Sequence, residues 1–313
     1  METFRVRRPG PFTTVQDMGR FGYQHMGVPV SGALDPYAHT VANLLVGNEP
    51  DCATLEITFM GPDLEVLDTA DIAVTGAAMG LTLNGQNVSQ WTTLRVRKCD
   101  RVRFGQAAGG CRAYLAVTGG FDVPEVMGSR STYVSGAIGG LSGRALQAGD
   151  ILVRGPGRLI AKQRRLPRPP LYPSEIHLRA IPGPQDGCFA SSLNTFFSSL
   201  YTVTDKVNRM GYRLQGPVLD REPDAPKSII SEPSVHGNVQ VPPDGQPIIL
   251  MVEQTIGGYT KIGTVVTADL FRIAQARPGH RVRFHRVTLE AAHEHYREWK
   301  QLLGTLPEAL EIL

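Results

Sequence analysis

The sequence has few of the features that mark metal-binding, disulfide-bonded or membrane proteins. Its four cysteines are far apart and form no C-x-x-C pair, which argues against a zinc site and a dense disulfide framework. No stretch approaches the ~18 consecutive apolar residues of a bilayer span, and the N-terminus METFRVRRPGPF has no apolar signal segment. We therefore expect a cytoplasmic protein without a metal site or a membrane contact.

Long runs of one charge are also missing. The net charge is +3 and no run of five or more basic residues occurs, so the sequence does not indicate nucleic-acid binding. The densest basic cluster lies in residues 161–174, where it alternates with prolines. This composition is typical of a solvated linker. With 313 residues available, we predict an N-terminal domain over 1–160 and a C-terminal domain over 175–313.

Glycine and proline are abundant, with 34 and 23 residues, and they indicate many turns. Short apolar stretches between these turns predict a mainly β (α+β) protein with a few helices. Asn84-Gly85, set between LTL and QNV, predicts a hairpin because both central residues of a type I′ turn need positive φ. In the second half, one of the predicted strands is Ile229–Glu232.

Helix signals are clearest just after a glycine-rich loop. Asp35 is a predicted N-cap for a helix over Pro36–Val46, which begins with proline and places its apolar residues on one face. Further helices are predicted near Phe189–Ser199, Ala268–Ala276 and Leu289–Leu303, the last capped by Thr288 and stopped by Gly304.

The glycine-rich loop reads VQDMGRFGYQHMGVPVSGALDP and ends at the N-terminus of the first helix, a position that favours anions. Part of it, Arg20-x-Gly22-Tyr23-x-x-x-Gly27, recurs as Arg209-x-Gly211-Tyr212-x-x-x-Gly216. This echo suggests a duplicated domain. Each arginine either holds a carboxylate or phosphate bidentately or bonds carbonyls of its own turn, and the sequence leaves both alternatives open.

A second polar segment follows the predicted strand Pro247–Val252. It reads EQTIGGYTK over residues 253–261 and places amide, phenol and ammonium groups beside two glycines. Such a segment suits a small polar ligand, although an ordinary turn with an exposed lysine explains the spacing equally well. Phosphate-binding and nucleophile-elbow motifs are missing, including a lysine in the glycine-rich turn 136–143.

Several ordered motifs spread over about residues 5–286 make the chain resemble the allophanate hydrolase subunit 2 family of carboxyltransferase-type proteins. The motifs of the first half are Gly10-Pro11, Thr14-Val15-Gln16-Asp17-x-Gly19-Arg20-x-Gly22-Tyr23, Gly27-Val28-Pro29-x-Ser31-Gly32-Ala33-x-Asp35, Ala42-Asn43-x-Leu45-Val46-Gly47-Asn48, Leu55-Glu56-Ile57-Thr58, Gly119-Gly120-Phe121-Asp122-Val123-Pro124 and Gly128-Ser129-Arg130-Ser131-Thr132. Those of the second half are Pro182-Gly183-Pro184-Gln185-Asp186, Asn208-Arg209-Met210-Gly211-Tyr212-Arg213-Leu214, Gln240-Val241-Pro242-Pro243-Asp244-Gly245-Gln246-Pro247 and Gly257-Gly258-Tyr259-x-Lys261-Ile262.

The resemblance implies two tandem cyclophilin-like β-barrel domains and a hetero-oligomer with a smaller partner, the B subunit, which is similar to allophanate hydrolase subunit 1. The family includes the C subunit of 5-oxoprolinase, whose complex opens the lactam of 5-oxo-L-proline to L-glutamate with ATP and also needs an A subunit. It further includes half of the urea carboxylase carboxyltransferase domain, which moves CO₂ from carboxybiotin to urea. This chain has no Ala-Met-Lys-Met sequence, so biotin is not expected to be attached to it.

The family motifs imply a site that binds a small amide or lactam bearing a carboxylate. We expect Lys261 and Arg209 to bind the anion, Tyr259 and Gln254 to polarise the amide carbonyl, and Asp17 or His25 to act as general base. Other expected substrate-binding residues are Arg20, Gln16, Tyr23, Ser31, Asp35, Thr255, Gly257, Gly258 and Tyr212.

The chain departs from the family pattern beside this site. Val252-Glu253 stands where members usually have an Asp followed by Arg or His, Thr260 replaces a proline, and Pro233 and His236 also differ. Three functional hypotheses follow: a component of ATP-dependent 5-oxoprolinase, a carboxyltransferase component of a biotin-dependent urea or amide carboxylase, and a non-enzymatic regulator that binds a kinase inhibitor, as one family member does.

Overall fold

The computed structural model describes all residues from Met1 to Leu313, and the chain divides into two compact units. Unit 1 comprises Met1–Phe21, Ser31–Tyr172 and Leu303–Leu313. Unit 2 comprises Gly22–Val30 and Pro173–Leu302. This division differs from the predicted boundaries because the middle of the glycine-rich loop belongs to unit 2 and the end of the chain to unit 1.

Short strands dominate both halves of the chain. The first half contains β1 (Glu2–Arg8), β2 (Phe12–Gln16), α1 (Pro36–Leu45), β3 (Thr54–Thr58), β4 (Asp63–Val66), β5 (Ala70–Ala78), β6 (Thr82–Leu83), β7 (Gln86–Asn87), β8 (Thr93–Val96), β9 (Arg101–Arg103), β10 (Gly109–Val117), β11 (Ile151–Val153) and β12 (Arg164–Arg165). The second half contains β13 (Glu175–Pro182), α2 (Leu193–Ser198), β14 (Leu200–Val207), β15 (Gly211–Gln215), β16 (Glu232–Pro233), β17 (Asn238–Val241), β18 (Ile248–Leu250), β19 (Ile256–Gly257), β20 (Thr260–Val265), α3 (Leu270–Ala274), β21 (Arg281–Arg286), α4 (Leu289–Thr305) and β22 (Glu311–Ile312). None of the helices has the length and apolarity that a membrane span requires.

Unit 1 is built on two sheets. One has the order β11-β1-β4-β9-β6-β7 and the other the order β2-β3-β10-β5-β8. Strand β10 shows how the second sheet is covered on both faces, because its successive side chains alternate between faces. Leu115 packs into the apolar core that both sheets share, whereas Tyr114 and Ala116 pack against the buried face of α1. The mainly β fold predicted for this half is confirmed.

Two local predictions in unit 1 are confirmed in detail. The Asp35 carboxylate accepts a hydrogen bond from the backbone N–H of Ala38 at 3.0 Å and caps α1. Asn84 and Gly85 have φ values of 53° and 83° and join β6 to β7 in an antiparallel hairpin. Both features follow from local chemistry, since one needs an acceptor at the helix start and the other needs two residues that tolerate positive φ.

The basic segment that we expected to be a linker has regular structure. β12 pairs with β22, and Leu166 is buried in the apolar cluster that also contains α1 residues. The backbone N–H of Arg164 donates to the Thr93 hydroxyl at 3.0 Å. Residues 164–166 therefore form part of unit 1 rather than a solvated connection.

Unit 2 is a closed barrel of seven strands in the order β13-β20-β17-β18-β15-β14-β21. The parallel pairing of β13 with β21 completes the ring. Fully buried apolar side chains from these strands, such as Tyr212, Ile249 and Ile262, belong to its core. The barrel fold expected for this half is confirmed.

Several element boundaries in unit 2 were predicted wrongly. The helices expected over Phe189–Ser199 and Ala268–Ala276 are each a short 3₁₀ turn followed by a short α-helix, α2 or α3. Gly304 does not stop α4, which runs to Thr305, although Thr288 does accept a hydrogen bond from the helix start at Ala291. Of the predicted strand Ile229–Glu232, only Glu232 lies in a strand.

Candidate functional site

Four neighbouring strands of the barrel carry one row of side chains across its outer wall. Arg213 of β15 pairs with Ile248 of β18, Ile248 pairs with Gln240 of β17, and Gln240 pairs with Lys261 of β20. Directly opposite residues in an antiparallel pair lie on the same face of the sheet. Because Tyr212, the neighbour of Arg213, is buried in the barrel, this row faces outwards.

A cavity of about 520 Å³, here called the outer-wall cavity, lies over the exposed end of this row. Its walls come from the β14–β15 connection, from β17 and β18, and from the segment 254–259. The polar side chains that line it include Lys206, Asn208, Arg213, Gln240, Gln254 and Tyr259. Its volume falls within the roughly 300–1,000 Å³ of small-molecule sites, and its mixture of aliphatic walls and a few polar groups is typical of them.

The other end of the row is covered by the short two-stranded sheet β16–β19. Lys261 is buried, and its ammonium group contacts the Glu232 carboxylate at 2.6 Å. The Gln185 amide donates to the same carboxylate oxygen at 3.0 Å. Hydrogen bonds from Lys261 and then from Gln185 lower the pKa of Glu232. Lys261, which we expected to bind a substrate anion, is therefore already neutralised by a carboxylate of the chain itself.

Gln240 stands in the middle of the row and marks the inner wall of the cavity. Its side chain is buried, and its Nε2 atom has no hydrogen-bond partner. The backbone of Gly257 lies directly over this amide, since a Cβ atom at position 257 would collide with Nε2. Glycine at this position lets the chain pass close to Gln240, and an amide with unused donors is left at the edge of the cavity.

Glu253, one of the residues that depart from the family pattern, is paired with Arg209. The Arg209 Nε atom donates to the Glu253 carboxylate at 2.6 Å, and both side chains are buried. A buried guanidinium needs such a charge-assisted bond because an unpaired buried charge is costly. The predicted anion-binding residue Arg209 thus serves the interior of unit 2 and does not line the outer-wall cavity.

The remaining residues predicted in the second half have different surroundings. Tyr212 is buried, and its hydroxyl donates to the Ala274 carbonyl at 3.1 Å. Tyr259 is exposed and lines the outer-wall cavity together with Gly258. The Gln254 amide donates to the Ile256 carbonyl, which fixes this side chain along its own turn. Tyr212 and Thr255 do not line the cavity.

The middle of the glycine-rich loop, Gly22–Val30, supports the two-stranded sheet β16–β19. Gln24, in a 3₁₀ turn, donates from its amide to the carbonyls of Ser234 at 2.7 Å and Thr255 at 3.2 Å. The same Thr255 carbonyl accepts from the backbone N–H of Ser234. Of the predicted residues nearby, His25 is exposed and Tyr23 is half-buried. This part of the loop holds together two segments beside the cavity.

The first part of that loop, in unit 1, surrounds the Asp17 carboxylate with donors. They are the backbone N–H groups of Gly19 and Arg130 and the hydroxyls of Ser129 and Ser131. Burial acts to raise the pKa of Asp17, but the bonds from Ser131, Ser129, Arg130 and Gly19 together outweigh it and lower the pKa. A carboxylate saturated in this way favours a structural role over the role of general base.

Arg20 is also an interior residue of unit 1. Its guanidinium donates to the carbonyls of Val126 and Ser131, both at 2.9 Å, and its side chain is fully buried. Burial is the largest influence on its pKa and lowers it, while the charge of Asp17 acts to raise it. Of the two alternatives left open by the sequence, this geometry favours bonding to carbonyls, although of the 126–131 segment rather than of its own turn.

The other residues predicted in the first half are buried as well. Gln16 donates to the Thr132 carbonyl at 3.1 Å, and Asp35 accepts from the Tyr172 hydroxyl at 3.1 Å in addition to capping α1. Ser31 is buried with a φ of 55°. Within unit 1 these side chains stabilise the interior, and none of them lines the outer-wall cavity.

The structure therefore brings together only part of the predicted site. Gln254, Gly257, Gly258 and Tyr259 line the outer-wall cavity. Residues that sequence reasoning missed are Lys206, Asn208, Arg213 and Gln240. The alternation of apolar and polar residues in the sequence YRLQ, residues 212–215, was the available signal, since it places Arg213 on the face opposite to the barrel core.

Comparisons with known proteins agree with this architecture. The family model described as carboxyltransferase domain, subdomain A and B, matches residues 26–286. The chain is 39% identical over 290 residues to the 5-oxoprolinase C subunit of Escherichia coli, covering 92% of each chain. It is 32% identical over 320 residues to the urea amidolyase of Lachancea kluyveri, covering 93% of this chain and 17% of that protein.

A solved structure shows the same fold. The crystal structure of the K. lactis urea amidolyase superposes with a TM-score of 0.88 at 30% sequence identity and covers 97% of this chain. The chain spans only about a fifth of that much longer protein, 20% of its length. The family model and the relatives agree on one assignment: this chain belongs to the carboxyltransferase domain family, subdomain A and B.

Proposed function

We propose that this protein is the C subunit of an ATP-dependent 5-oxoprolinase that opens the lactam of 5-oxo-L-proline to L-glutamate. The observation that carries the proposal is the 39% identity to the 5-oxoprolinase C subunit across 92% of both chains. The match to urea amidolyase covers only 17% of that protein, which therefore carries much more than this chain could supply alone.

The outer-wall cavity offers suitable chemistry for a lactam. The Gln254 amide and the Tyr259 phenol line it beside Gly257 and Gly258. Hydrogen-bond donors next to a carbonyl oxygen stabilise the negative charge that develops when water attacks the carbonyl carbon. We assign Gln254 and Tyr259 this role toward the lactam carbonyl, in keeping with the role expected from the family resemblance.

ATP does not fit the glycine-rich turn 136–143 of this chain. In a phosphate cradle the glycine backbone faces the ligand. Here a Cβ atom at Gly139 would meet the Ser131 carbonyl, and one at Gly140 would meet the Thr132 hydroxyl, so these glycines pack against the protein itself. We assign no ATP contact to this turn, and the complex uses ATP with residues supplied elsewhere.

The proposed complex contains the A and B subunits of 5-oxoprolinase as partners. The test is to reconstitute this chain with both and to measure the release of glutamate from 5-oxoproline with and without ATP, with urea offered in parallel. The proposal predicts ATP-dependent glutamate formation that requires this chain. A complex that leaves 5-oxoproline intact contradicts it.

The same assay distinguishes the second candidate function. The family model and the urea amidolyase structure favour a carboxyltransferase component that acts on urea or a related amide. That function predicts no glutamate release and instead carboxylation of urea when a separate biotin carrier and biotin carboxylase are added. If neither reaction occurs while the chain still binds the smaller B subunit, a regulatory role is supported.

A further inference from the structure

Two cavities meet at one wall on the outside of the barrel. The second has a volume of about 400 Å³ and is lined by β14, β15 and the segment 244–248. It shares Asp205, Lys206, Arg213 and Ile248 with the outer-wall cavity. A ligand in either cavity can therefore reach both Lys206 and Arg213.

A β-bulge fixes the position of these cations. Val203 pairs with Leu214 and Val207 with Tyr212, so three residues of β14, 204–206, stand opposite Arg213 alone. The Thr204 hydroxyl donates to the Arg213 carbonyl at 3.0 Å and accepts from the backbone N–H of Lys206 at 3.2 Å. Bulges re-aim side chains and are common next to functional sites. This one places Lys206 and Arg213 on the shared wall.

Arg213 and Lys206 lack the carboxylate partners of Arg209 and Lys261, the two cations that the sequence predicted as anion-binding residues. Arg209 is paired with Glu253, and Lys261 is paired with Glu232. The side chains of Arg213 and Lys206 are exposed to the cavities and form no hydrogen bond or ion pair, including none with Asp205 on the same wall. The charge available for an anion on this side of unit 2 therefore lies on Arg213 and Lys206.

We propose that Arg213 and Lys206 bind the carboxylate of the substrate and so set its class: a small amide or lactam that carries a carboxylate group. A guanidinium fork matches a carboxylate bidentately, and a neighbouring ammonium adds a second charge-assisted bond. The amide part of the ligand then faces Gln254 and Tyr259 across the outer-wall cavity. The choice of 5-oxoproline as this substrate rests on the proposed function.

The test compares 5-oxoproline with 2-pyrrolidinone, which has the same lactam ring but no carboxylate. In the reconstituted complex, Arg213→Gln and Lys206→Gln are each expected to raise the KM for 5-oxoproline about tenfold, the usual effect of losing one charge-assisted hydrogen bond, and the double variant more. The kcat for 5-oxoproline and the turnover of 2-pyrrolidinone should not change. Arg158→Gln and Lys300→Gln, which remove exposed cations elsewhere, are the matched controls.

The outcomes separate this inference from the proposed function. An unchanged KM for 5-oxoproline in the double variant overturns the inference even if the complex is an active 5-oxoprolinase. If the wild-type complex does not hydrolyse 5-oxoproline, calorimetric titration of the full chain with 5-oxoproline decides. Binding that is lost in the double variant supports the inference, whereas equal binding or no binding to the wild-type chain overturns it. A thermal melt of each variant shows whether it is folded. The variant Arg213→Lys, which keeps the positive charge, then distinguishes a lost contact with the carboxylate from misfolding.

Discussion

The two segments with the same Arg-x-Gly-Tyr pattern have different structures. Gly22 and Tyr23 lead into the 3₁₀ turn Gln24–Met26, whereas Gly211 and Tyr212 begin strand β15. Both arginines are buried, but Arg20 bonds two backbone carbonyls and Arg209 bonds a carboxylate. Their common sequence therefore does not mark equivalent elements, and this match gives no structural support for a duplicated domain.

In both segments, the arginine is buried and is therefore not available to bind a ligand. A buried guanidinium is retained only where the chain supplies acceptors for it, and those acceptors then occupy the groups that a substrate would use. Arg20 and Arg209 follow this rule in their separate units. The exposed Arg213, four residues after Arg209, is the one that keeps its donors free.

Replacing Arg209 should have the largest effect on stability. Arg209→Met leaves the Glu253 carboxylate buried without its cation, which should destabilise unit 2 by about 3–5 kcal/mol. The chain has one tryptophan in each unit, Trp91 in unit 1 and Trp299 in unit 2. Denaturant unfolding followed by Trp299 fluorescence in a Trp91→Phe background therefore measures the effect on unit 2.

The double variant Arg209→Met with Glu253→Met is the control for this prediction. Because it removes both charges, it should recover most of the stability that the single variant loses. A double variant as unstable as the single one would show that the contacts of Arg209 with other groups, rather than the pair with Glu253, hold this region.

Replacing Arg20 should have a smaller effect. Arg20→Met removes two hydrogen bonds to carbonyls but leaves no buried charge directly bonded to it, so the expected loss is about 2 kcal/mol in unit 1. Trp91 fluorescence in a Trp299→Phe background measures it. Arg7→Met, which removes an exposed ion pair with Glu65, should cost less than about 1 kcal/mol. If Arg20→Met lost as much stability as Arg209→Met, a carbonyl-bonded arginine would matter as much as a carboxylate-paired one, which contradicts this prediction.

Much of the fold could be predicted from the sequence because its signals are local. The cap at Asp35 and the turn at Asn84-Gly85 depend on residues within a few positions of each other, and both predictions are confirmed. The bounds of α2 and α3 were missed because tertiary packing, not propensity, decides where such short helices begin and end. The basic segment 164–166 was misjudged because its partner strand β22 is more than a hundred residues away.

The site was harder to predict because its chemistry depends on distant partners. The sequence shows Lys261 close to a glycine pair but not that Glu232 of β16 reaches its ammonium group. It likewise shows Arg209 but not its bond to Glu253. Gln254, Gly257, Gly258 and Tyr259 were found because they are contiguous. Lys206, Arg213 and Gln240 belong to other strands, and only the barrel register places them at the same cavity.

The most direct test of the proposed site is to observe where 5-oxoproline binds. The full chain, labelled at isoleucine methyl groups and assembled with its partners, is titrated with 5-oxoproline, and the Ile248 signal is assigned with Ile248→Val. Ile248 belongs to the wall shared by the two cavities, whereas Ile57 and Ile72 are core residues of unit 1. We expect a saturable shift of the Ile248 methyl and none at Ile57 or Ile72. A saturable shift confined to unit 1 would contradict the proposed site.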